Sequence, residues 1–450
     1  MGKFLLRNTI LDIILRIEQD SGYSHLLINN EIKKKNISPK DEALLTEIVY
    51  GTIERKLTLD YYLSSFIKSN KKLDTWVSVL LRMSVFQMEF LDKVPSYAVI
   101  HEAVEIAKQR GHRGIASFVN GVLRNVQRKG VPSTEDIADP IKRLSIETSH
   151  PEWLVKRWVA AYGLETTQAI CEENLTKRPI SVRVQPLRIT RDAAMEQLEA
   201  EGLTTEKSIF SKQGIIILQG NVLKSSLFKE GLITIQDQSS MLVGEMLSLE
   251  PELHVLDTCS APGGKVTHIA EKMSDKGVIH AYDLHKQKIK LIQEKAKTLQ
   301  LTSIQVSQND ARKLQSVHEK ESFDRIIVDA PCSGLGVVRG KPDIKYSKQE
   351  ADIERLATIQ LDILESVASL LKQDGFLVYS TCTIDRKENE EVVQQFLENH
   401  PEFEVDPSFF RELPEEIRSS LGITEWGLQL FPQTFHTDGF FLTRLKKRMG

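Results

Sequence analysis

The sequence predicts a multidomain protein in which an all-α helical bundle precedes a small α+β module and a doubly wound α/β domain. Three observations support this prediction. Apolar residues recur at helical spacing through residues 1–130, the first short apolar strands lie within residues 150–235, and strands alternate with helices over residues 236–450. A chain of 450 residues is long enough for two or three domains.

The helical bundle is predicted from capping signals as well as from spacing. Ser38 can cap a helix, and Pro39 suits the first turn of that helix. The first twenty residues are apolar but interrupted by charged side chains, which favours an amphipathic helix over a secretion signal. Further helices are predicted at residues 76–87, 99–107 and 118–126.

The middle of the chain changes character twice. Residues 131–149 are predicted to be a linker, because Pro132 and Pro140 lie there among many polar residues. Residues 150–235 are predicted to form the small α+β module, with strands at 180–184 and 214–218 and a helix over 190–201. Five basic residues of this module could form a solvated face or contact a polyanion: Lys177, Arg178, Arg183, Arg188 and Arg191.

From residue 236 onward the pattern is that of an α/β domain. Helices are predicted at residues 285–300 and 350–372, between apolar strands. Such alternation predicts a largely parallel, doubly wound sheet. The predicted strands cover residues 278–284, 303–306, 323–329 and 376–380.

Charge and composition restrict the possible functions. Residues 1–130 carry a net charge of about +6 and the remainder of the chain about −9. The basic N-terminal region is therefore compatible with binding a polyanion such as nucleic acid, and equally with an ordinary solvated surface. No apolar run reaches about 18 residues, so no membrane span is expected. The four cysteines include no C-x-x-C pair, so we expect neither a disulfide framework nor a metal site. This cysteine usage indicates a protein of the reducing cytosol.

A glycine-rich turn follows the first strand of the α/β domain, in the segment VLDTCSAPGGK at residues 255–265. Glycines allow close approach of a ligand, and the following helix N-terminus offers free N–H donors. The three carboxylates Asp257, Asp283 and Asp310 follow successive strands, where they could receive a nucleoside. The turn lacks G-x-G-x-x-G, which disfavours a dehydrogenase and favours a cofactor without a pyrophosphate, such as S-adenosylmethionine.

Two cysteines follow strands at the same predicted edge of the sheet, Cys332 and Cys382. A lone cysteine is more often a small buried apolar residue. A thiolate is also the natural nucleophile for addition to carbon-6 of a pyrimidine, which activates carbon-5 for methylation, and a base must then remove the carbon-5 proton. Two thiols in one cleft suit attack and release. Neighbouring residues predict exposed turns instead of core packing: Pro331, Ser333, Gly334 and Thr381.

The motifs DAPCSG at 329–334 and STCT at 380–383 resemble the Pro-Cys and Thr-Cys motifs of the Sun-type (RsmB-like) 16S rRNA cytosine-5 methyltransferases. The resemblance extends along the chain. Residues 431–441 resemble the closing segment of that family's catalytic fold. Residues 1–130 resemble the NusB RNA-binding fold, most clearly at 97–104 and 118–124.

The resemblance implies a Rossmann-like domain that transfers a methyl group from S-adenosylmethionine to carbon-5 of a cytosine in 16S rRNA. In the family this is the cytosine conventionally numbered 967, methylated through a covalent cysteine–pyrimidine intermediate. The resemblance assigns Cys382 as nucleophile and Cys332 to product release, and it places Asp329 facing the target base. It implies a cofactor site formed by Cys259, Ser260, Ala261, Pro262, Gly263, Gly264, Lys265, Asp283, Asp310 and Asp329.

The expected substrate is an unpaired region of 16S rRNA, in a free or partly assembled small subunit, because the target base must leave its stack to meet a thiolate. We also expect the protein to be a monomer in the cytoplasm, in keeping with its cysteine usage. Two alternatives stay open: the same chemistry on tRNA or another RNA, and an RNA-binding ribosome assembly factor in which the NusB-like region is the working part. The presence of both cysteines disfavours the second alternative.

Overall fold

The computed structural model divides into two compact units, each described here by itself. The first unit combines Met1–Leu175 with Gly340–Lys348, and the second combines Thr176–Arg339 with Gln349–Gly450. The residues that the structure describes are 5–20, 24–35, 37–68, 70 and 72–448.

The first unit is helical, as the sequence predicts. Ser38 caps the third helix, since its hydroxyl oxygen accepts a hydrogen bond from the Asp41 N–H at 3.3 Å. The apolar faces of the helices meet in one core, in which Leu45, Ile48 and Val49 are fully buried. The helices are α1 Leu5–Asp20, α2 Ser24–Lys35, α3 Pro39–Glu54, α4 Lys56–Ser64, α5 Thr75–Phe90, α6 Ser96–Arg110, α7 Arg113–Lys129, α8 Pro140–Thr148 and α9 Glu152–Glu173.

Helix α8 lies inside the segment predicted to be a linker, so that prediction missed an element. The Asp139 carboxylate accepts hydrogen bonds from the N–H groups of Ile141 and Lys142 at 2.9 and 3.3 Å, and Pro140 occupies the first turn. Aspartate followed by proline is a helix-start signal that outweighs the polar composition of the segment. Helix α9 is interrupted at Gly163, whose φ of 78° breaks the helical path.

The first unit is completed by a segment that lies far away in sequence, Gly340–Lys348. Lys345 is fully buried there, and its ammonium group donates to the Glu54 carbonyl oxygen at 2.9 Å. Burial lowers the pKa of Lys345 to about 7, although the nearby Glu54 carboxylate opposes this shift. Tyr346 donates its hydroxyl hydrogen to the Ser149 carbonyl oxygen at 2.8 Å. The segment is therefore fixed by polar contacts as well as by packing.

The second unit begins with a small antiparallel sheet whose strand order is β2-β3-β1-β4. Val182 and Ile215 pair across it and are fully buried in the core beneath. The two shortest strands, β2 and β4, escaped prediction because segments of three or four residues carry too little periodicity. The elements are β1 Ile180–Val184, α10 Arg191–Ala200, β2 Thr204–Lys207, β3 Gly214–Gln219, α11 Ser226–Lys229 and β4 Ile233–Ile235.

The rest of the second unit is a doubly wound α/β domain, as predicted, but its sheet adds antiparallel strands that the sequence analysis did not predict. In chain order, the elements that follow β4 are α12 Gln238–Met246, β5 His254–Asp257, α13 Gly264–Lys272, β6 Val278–Asp283, α14 Lys286–Thr298, β7 Ile304–Gln308, β8 Phe323–Asp329, α15 Ile344–Ser347, α16 Glu350–Ala368, β9 Leu371–Thr381, α17 Glu390–Asn399, β10 Phe403–Val405, α18 Pro407–Glu412, α19 Glu415–Arg418, β11 Ile423–Thr424, β12 Gly427–Leu430, α20 Pro432–Phe435 and β13 Phe440–Lys447. All of them belong to the second unit except α15, which is part of the first.

The strand order of the large sheet is β11-β12-β13-β9-β8-β5-β6-β7, with β10 added beside β13. Strands β5 to β9 run parallel, and β13 runs antiparallel to β9. The chain winds outward through β6 and β7 and then returns to the other side of β5 with β8. Ligands of such sheets bind where the winding reverses, at the carboxyl ends of the strands. No helix of the described residues is long and apolar enough to cross a membrane.

Candidate active site

The two predicted cysteines lie side by side. Cys332 follows β8 and Cys382 follows β9, and these strands are parallel neighbours in which Asp329 pairs with Ser380. The register therefore delivers both thiols to the same edge of the sheet. Their Sγ atoms are 3.2 Å apart, close enough for one thiol to donate a hydrogen bond to the other. Both side chains are half-buried.

The loops that carry the cysteines are more buried than the sequence predicted. Among the four neighbours expected in exposed turns only Pro331 is exposed, so the prediction was wrong for Ser333, Gly334 and Thr381. Their polar groups find partners inside the protein. The Thr381 hydroxyl, for example, donates to the Asn389 side-chain oxygen at 2.5 Å. Satisfied hydrogen bonds allow polar turns to be buried at little cost.

An ion pair lies beside the thiols. The Lys265 ammonium group contacts the Asp329 carboxylate at 2.7 Å, and the Ser380 hydroxyl donates to the other oxygen of Asp329 at 2.9 Å. Burial lowers the pKa of Lys265, but the Asp329 carboxylate, with smaller contributions that include Cys382, raises it above its usual value. Lys265 Nζ is also 5.3 Å from the centre of the Phe440 ring. The Lys265 ammonium group, fixed by Asp329, thus lies close enough to the Cys382 thiol to interact with it electrostatically.

The glycine-rich turn has the geometry that its sequence predicts. Gly263 has a φ of 97°, in the left-handed region that favours glycine, and α13 begins at the next residue. A Cβ atom on Gly263 would lie 3.3 Å from the Ile292 Cα atom, a tight contact with backbone. The peptide bond between Ala261 and Pro262 is cis. This turn forms a narrow cradle at the carboxyl end of β5.

Asp257, at the end of β5, is the least satisfied acid of the site. It is fully buried, and its Oδ2 atom has no hydrogen-bond partner among the described residues. Burial, together with the negative charge of Asp329, raises the pKa of Asp257 to about 7. A buried acceptor without a donor is costly in a folded protein, and a ligand that brings a donor would relieve it.

Cys259 shows which carboxylates converge on the cradle. Burial raises the pKa of its thiol to about 12, and the charges of Asp257, Asp329 and Asp283 add to this rise. Asp283 is buried at the end of β6, where it accepts a hydrogen bond from the His285 N–H at 2.9 Å. The structure therefore brings together three of the predicted site carboxylates around one thiol.

Asp310 is engaged differently from the other predicted acids. Its carboxylate receives two hydrogen bonds from the Arg312 guanidinium, at 3.0 and 2.7 Å. These hydrogen bonds are the main reason why the pKa of Asp310 is lowered. Asp310 also caps the short helix that follows β7, by accepting from the Arg312 N–H. The acid is thus ionised and already partnered.

The basic cluster predicted in the small module does not form one solvated face. Arg183 on β1 is fully buried, and it binds both oxygens of Glu271 on α13, at 2.7 and 2.9 Å. It also donates to the Gly264 carbonyl oxygen at 2.7 Å, in the first turn of α13. Arg178 contacts the carboxylates of Asp438 and Asp237 at 2.6 and 3.1 Å. Arg183 therefore joins the small sheet to α13, directly after the glycine-rich turn.

Two residues of the site were not predicted, Glu388 and Gln360. Glu388 accepts a hydrogen bond from the Ser333 N–H at 2.8 Å, directly after Cys332 in the chain. Gln360, on α16, donates to the Pro331 carbonyl oxygen at 3.0 Å. The position of Glu388 six residues after Cys382 is a weak signal, and its contact with the other cysteine loop depends on tertiary packing.

Comparison with known proteins places this geometry in a family. A family model described as 16S rRNA methyltransferase RsmB/F matches residues 245–446. A relative from Bacillus subtilis (strain 168), named "Probable ribosomal RNA small subunit methyltransferase B", is 49% identical over 448 residues and covers 100% of both chains. The chain belongs to the RsmB/F family of 16S rRNA methyltransferases. The Synechocystis protein of the same name is 33% identical, covering 97% of this chain and 98% of its own.

The RsmB/F assignment extends to the other regions of the chain. Residues 5–128 match the NusB family, and residues 150–223 match the ferredoxin-like domain of RsmF/B-like methyltransferases. The crystal structure of PH0851 superposes with a TM-score of 0.82 at 27% identity and covers 98% of both chains. A methyltransferase homolog from Pyrococcus horikoshii, at 26% identity and a TM-score of 0.59, covers 69% of this chain and 100% of its own.

Proposed function

We propose that this RsmB/F protein transfers a methyl group from S-adenosylmethionine to carbon-5 of a cytosine in 16S rRNA, at the position conventionally numbered 967. The observation that carries the proposal is the contact of Cys332 Sγ with Cys382 Sγ at 3.2 Å, beside the ion pair of Lys265 and Asp329. Covalent activation of a pyrimidine needs a nucleophilic thiolate and a route for releasing it, and two adjacent thiols can supply both.

The cradle residues fit S-adenosylmethionine. The unpartnered Oδ2 atom of Asp257 suits an ammonium group, and Asp283 suits ribose hydroxyls at the end of β6. Residues 259–265 bring the backbone close to the ligand through the left-handed turn at Gly263. Asp310 completes the proposed cofactor set from the end of β7. When bound, S-adenosylmethionine supplies an activated methyl group.

In the proposed reaction, Cys382 is the nucleophile. Its thiolate forms a bond to carbon-6 of the cytosine, and the electrons of the carbon-5–carbon-6 double bond make carbon-5 electron-rich. Asp329 faces the base and is held in place by Lys265 and Ser380. The Lys265 ammonium group favours the thiolate form of the nearby Cys382.

Cys332 releases the product. Once Cys382 is a thioether and carbon-5 has formed a bond to the transferred methyl group, Cys332 gives its proton to solvent, and the resulting thiolate removes the proton from carbon-5. The electrons of that bond re-form the double bond, the carbon-6–sulfur bond breaks, and Cys382 leaves as a thiolate. Both thiols are thereby restored, and one proton has passed to solvent for each methyl group added.

The proposed substrate is an unpaired segment of 16S rRNA, in a free or partly assembled small subunit, and the protein acts as a cytoplasmic monomer. The relatives named as ribosomal RNA small subunit methyltransferases support small-subunit rRNA as the substrate. Helix α7 of the NusB-matching region has several exposed basic residues that suit phosphate contacts: Arg113, Arg124, Arg128 and Lys129.

The test is to delete the gene and map 5-methylcytosine in all cellular RNA by mass spectrometry, with and without a plasmid copy. We expect one 16S rRNA cytosine to lose its methyl group and to regain it with the wild-type copy. Loss of a tRNA methyl group instead would assign the same chemistry to another RNA. If the deletion strain keeps all of its 5-methylcytosine but assembles the small subunit poorly, the protein is an assembly factor and the proposal is rejected.

A further inference from the structure

Each cysteine loop is anchored by one of two consecutive residues, Glu388 and Asn389, which precede α17. The Asn389 side-chain amide donates to the Thr383 carbonyl oxygen at 3.1 Å, and so holds the loop of Cys382. Glu388 instead reaches the loop of Cys332, where its Oε2 atom accepts from the Ser333 N–H at 2.8 Å. One dipeptide therefore fixes the separation of the two sulfur atoms.

Glu388 is an unusual choice for such an anchor. It is fully buried, and its Oε1 atom has no hydrogen-bond partner within the part of the chain that the structure describes. Gln360 donates to its Oε2 atom at 2.9 Å. A glutamine at position 388 could accept these hydrogen bonds without the cost of burying an acid. The hydrogen bonds alone therefore do not explain a carboxyl group at this position, and its charge is the property that a glutamine would lack.

The two thiols meet opposite charges. Glu388 faces Cys332, whereas the Lys265 ammonium group faces Cys382. The hydrogen bond with Cys382, burial and the charge of Glu388 all raise the pKa of Cys332. Other titratable groups near Glu388 and Cys332 are Asp385 and Tyr379, and neither is cationic. The Asp329 and Asp257 carboxylates lie on the Lys265 side.

We propose that Glu388 is a positioning residue that holds the Cys332 loop and sets the order in which the two thiols ionise, Cys382 first. The inference rests on the proposed two-thiol reaction. In the resting protein Cys332 stays protonated and donates its hydrogen to the Cys382 thiolate. When Cys382 becomes a thioether, its charge disappears, and Cys332 can then ionise and act as the base. Glu388 thus prevents both thiols from competing for the same carbon atom.

Burial raises the pKa of Glu388 to about 7, so the carboxylate is charged in the alkaline range where thiols ionise. Two neighbouring groups of like charge titrate in separate steps. A charged Glu388 therefore makes the difference between the pKa values of Cys332 and Cys382 larger than the contact between the two thiols alone would make it. Replacing it with glutamine removes the charge but keeps an oxygen that can accept from Ser333.

The test is the order of alkylation of the two thiols by iodoacetamide between pH 6.5 and 9.5, read by peptide mass spectrometry. In the wild-type protein we expect Cys382 to react first. In Glu388→Gln, a fall of about one unit in the pKa of Cys332 would lower the ratio of Cys382 to Cys332 labelling about ten-fold. The matched control is Glu391→Gln on α17, whose carboxylate is 53% exposed and pairs with Lys387; its ratio should equal that of the wild type.

Thermal melting establishes whether each variant is folded. Should Glu388→Gln fail to fold, Glu388→Asp provides the test instead. Its shorter side chain moves the charge away from Cys332 and should also lower the ratio of Cys382 to Cys332 labelling. An unchanged ratio in either folded variant overturns the inference. The experiment needs neither RNA nor cofactor, so its outcome is independent of whether the protein methylates 16S rRNA.

Discussion

Ser333 Oγ lies 2.9 Å from Thr383 Oγ1, so the residues that directly follow the two cysteines are hydrogen-bonded to each other. Both side chains are buried. A second contact, from the Gly336 N–H to the Cys382 carbonyl oxygen at 3.0 Å, joins the same loops. The thiols are therefore presented by one connected piece of structure, and substitution of either sulfur should leave the other in place.

The first prediction concerns the roles of the thiols. Cys382→Ala should abolish methylation, because no nucleophile remains to activate carbon-5. Cys332→Ala should accumulate a covalent RNA adduct, because the adduct forms but is not released. Denaturing gel electrophoresis with labelled 16S rRNA detects the adduct as a slower band. Cys171→Ala, at a buried cysteine of α9, is the control and should form no stable adduct. Adduct formation by the Cys382 variant, with free turnover by the Cys332 variant, would reverse the two roles.

A second prediction follows from the raised pKa of Asp257. S-adenosylmethionine affinity should increase as the pH rises through about 7, because the ionised carboxylate binds the ammonium group better. Asp257→Asn should weaken binding and flatten this dependence. Isothermal titration calorimetry between pH 6 and 8 measures both effects. Asp324→Asn, at the amino end of β8, is a control that should keep the wild-type profile.

The same acid has a consequence for stability without the cofactor. A carboxyl group whose folded-state pKa is raised to about 7 stabilises the folded state when protonated. This contribution is complete below the pKa of the unfolded chain, near 4, and is lost as the pH rises through about 7. The cofactor-free wild type should therefore lose more stability over this range than Asp257→Asn. Equal pH dependence of urea unfolding in the two proteins would contradict the assignment.

The third prediction concerns the buried pair of Arg183 and Glu271. Glu271→Ala leaves a fully buried guanidinium group without its carboxylate, which should lower the free energy of unfolding by about 3–5 kcal/mol. Cofactor binding should weaken as well, because Arg183 also holds the Gly264 carbonyl oxygen. Asp192→Ala breaks the exposed pair with Lys207 in the same module and should lower the free energy of unfolding far less, because solvent screens this pair. Similar losses in the two variants, by urea unfolding, would argue against a structural role for the buried pair.

The fourth prediction concerns helix α7. Replacing Arg124 and Arg128 with glutamate should weaken 16S rRNA binding and reduce its salt dependence, because fewer counterions are released. Each lost phosphate contact lowers the slope of log affinity against log salt by about 0.7–0.9. Filter binding at several salt concentrations gives this slope. Lys276→Glu, exposed at the amino end of β6, is the control. An unchanged slope in the double variant would remove α7 from the RNA surface.

The sequence predicted the parts of the site that local patterns encode. The turn at residues 255–265 and the loops of Cys332 and Cys382 all follow strands with clear apolar runs. Parallel strands place their carboxyl ends at one edge, so the meeting of these loops also followed from the alternation of strands and helices. The pairing of Lys265 with Asp329 could not be predicted in this way, since it depends on side-chain direction.

The sequence failed where distant residues meet. Arg183 lies in the strand ISVRV and its partner Glu271 lies 88 residues later, so its charge suggested a surface position. The alternation of that strand also places Arg183 on its polar face, but every residue of β1 after Ile180 is buried, because both faces of the strand are covered. Strands β10, β11 and β12 escaped prediction because they have only two to four residues each and pair with β13 or with one another. Strand β13 is longer, but its place in the sheet depends on pairing with the distant β9.

The return of Gly340–Lys348 to the first unit has a consequence for biosynthesis. Domains usually fold in order as the chain emerges from the ribosome. Here the helical unit lacks the residues that cover Glu54 until Lys348 has been translated, by which time β5 to β8 of the second unit have also been made. Completion of the N-terminal unit is thus delayed until most of the chain has been synthesised, although its buried core is made by residues before 130.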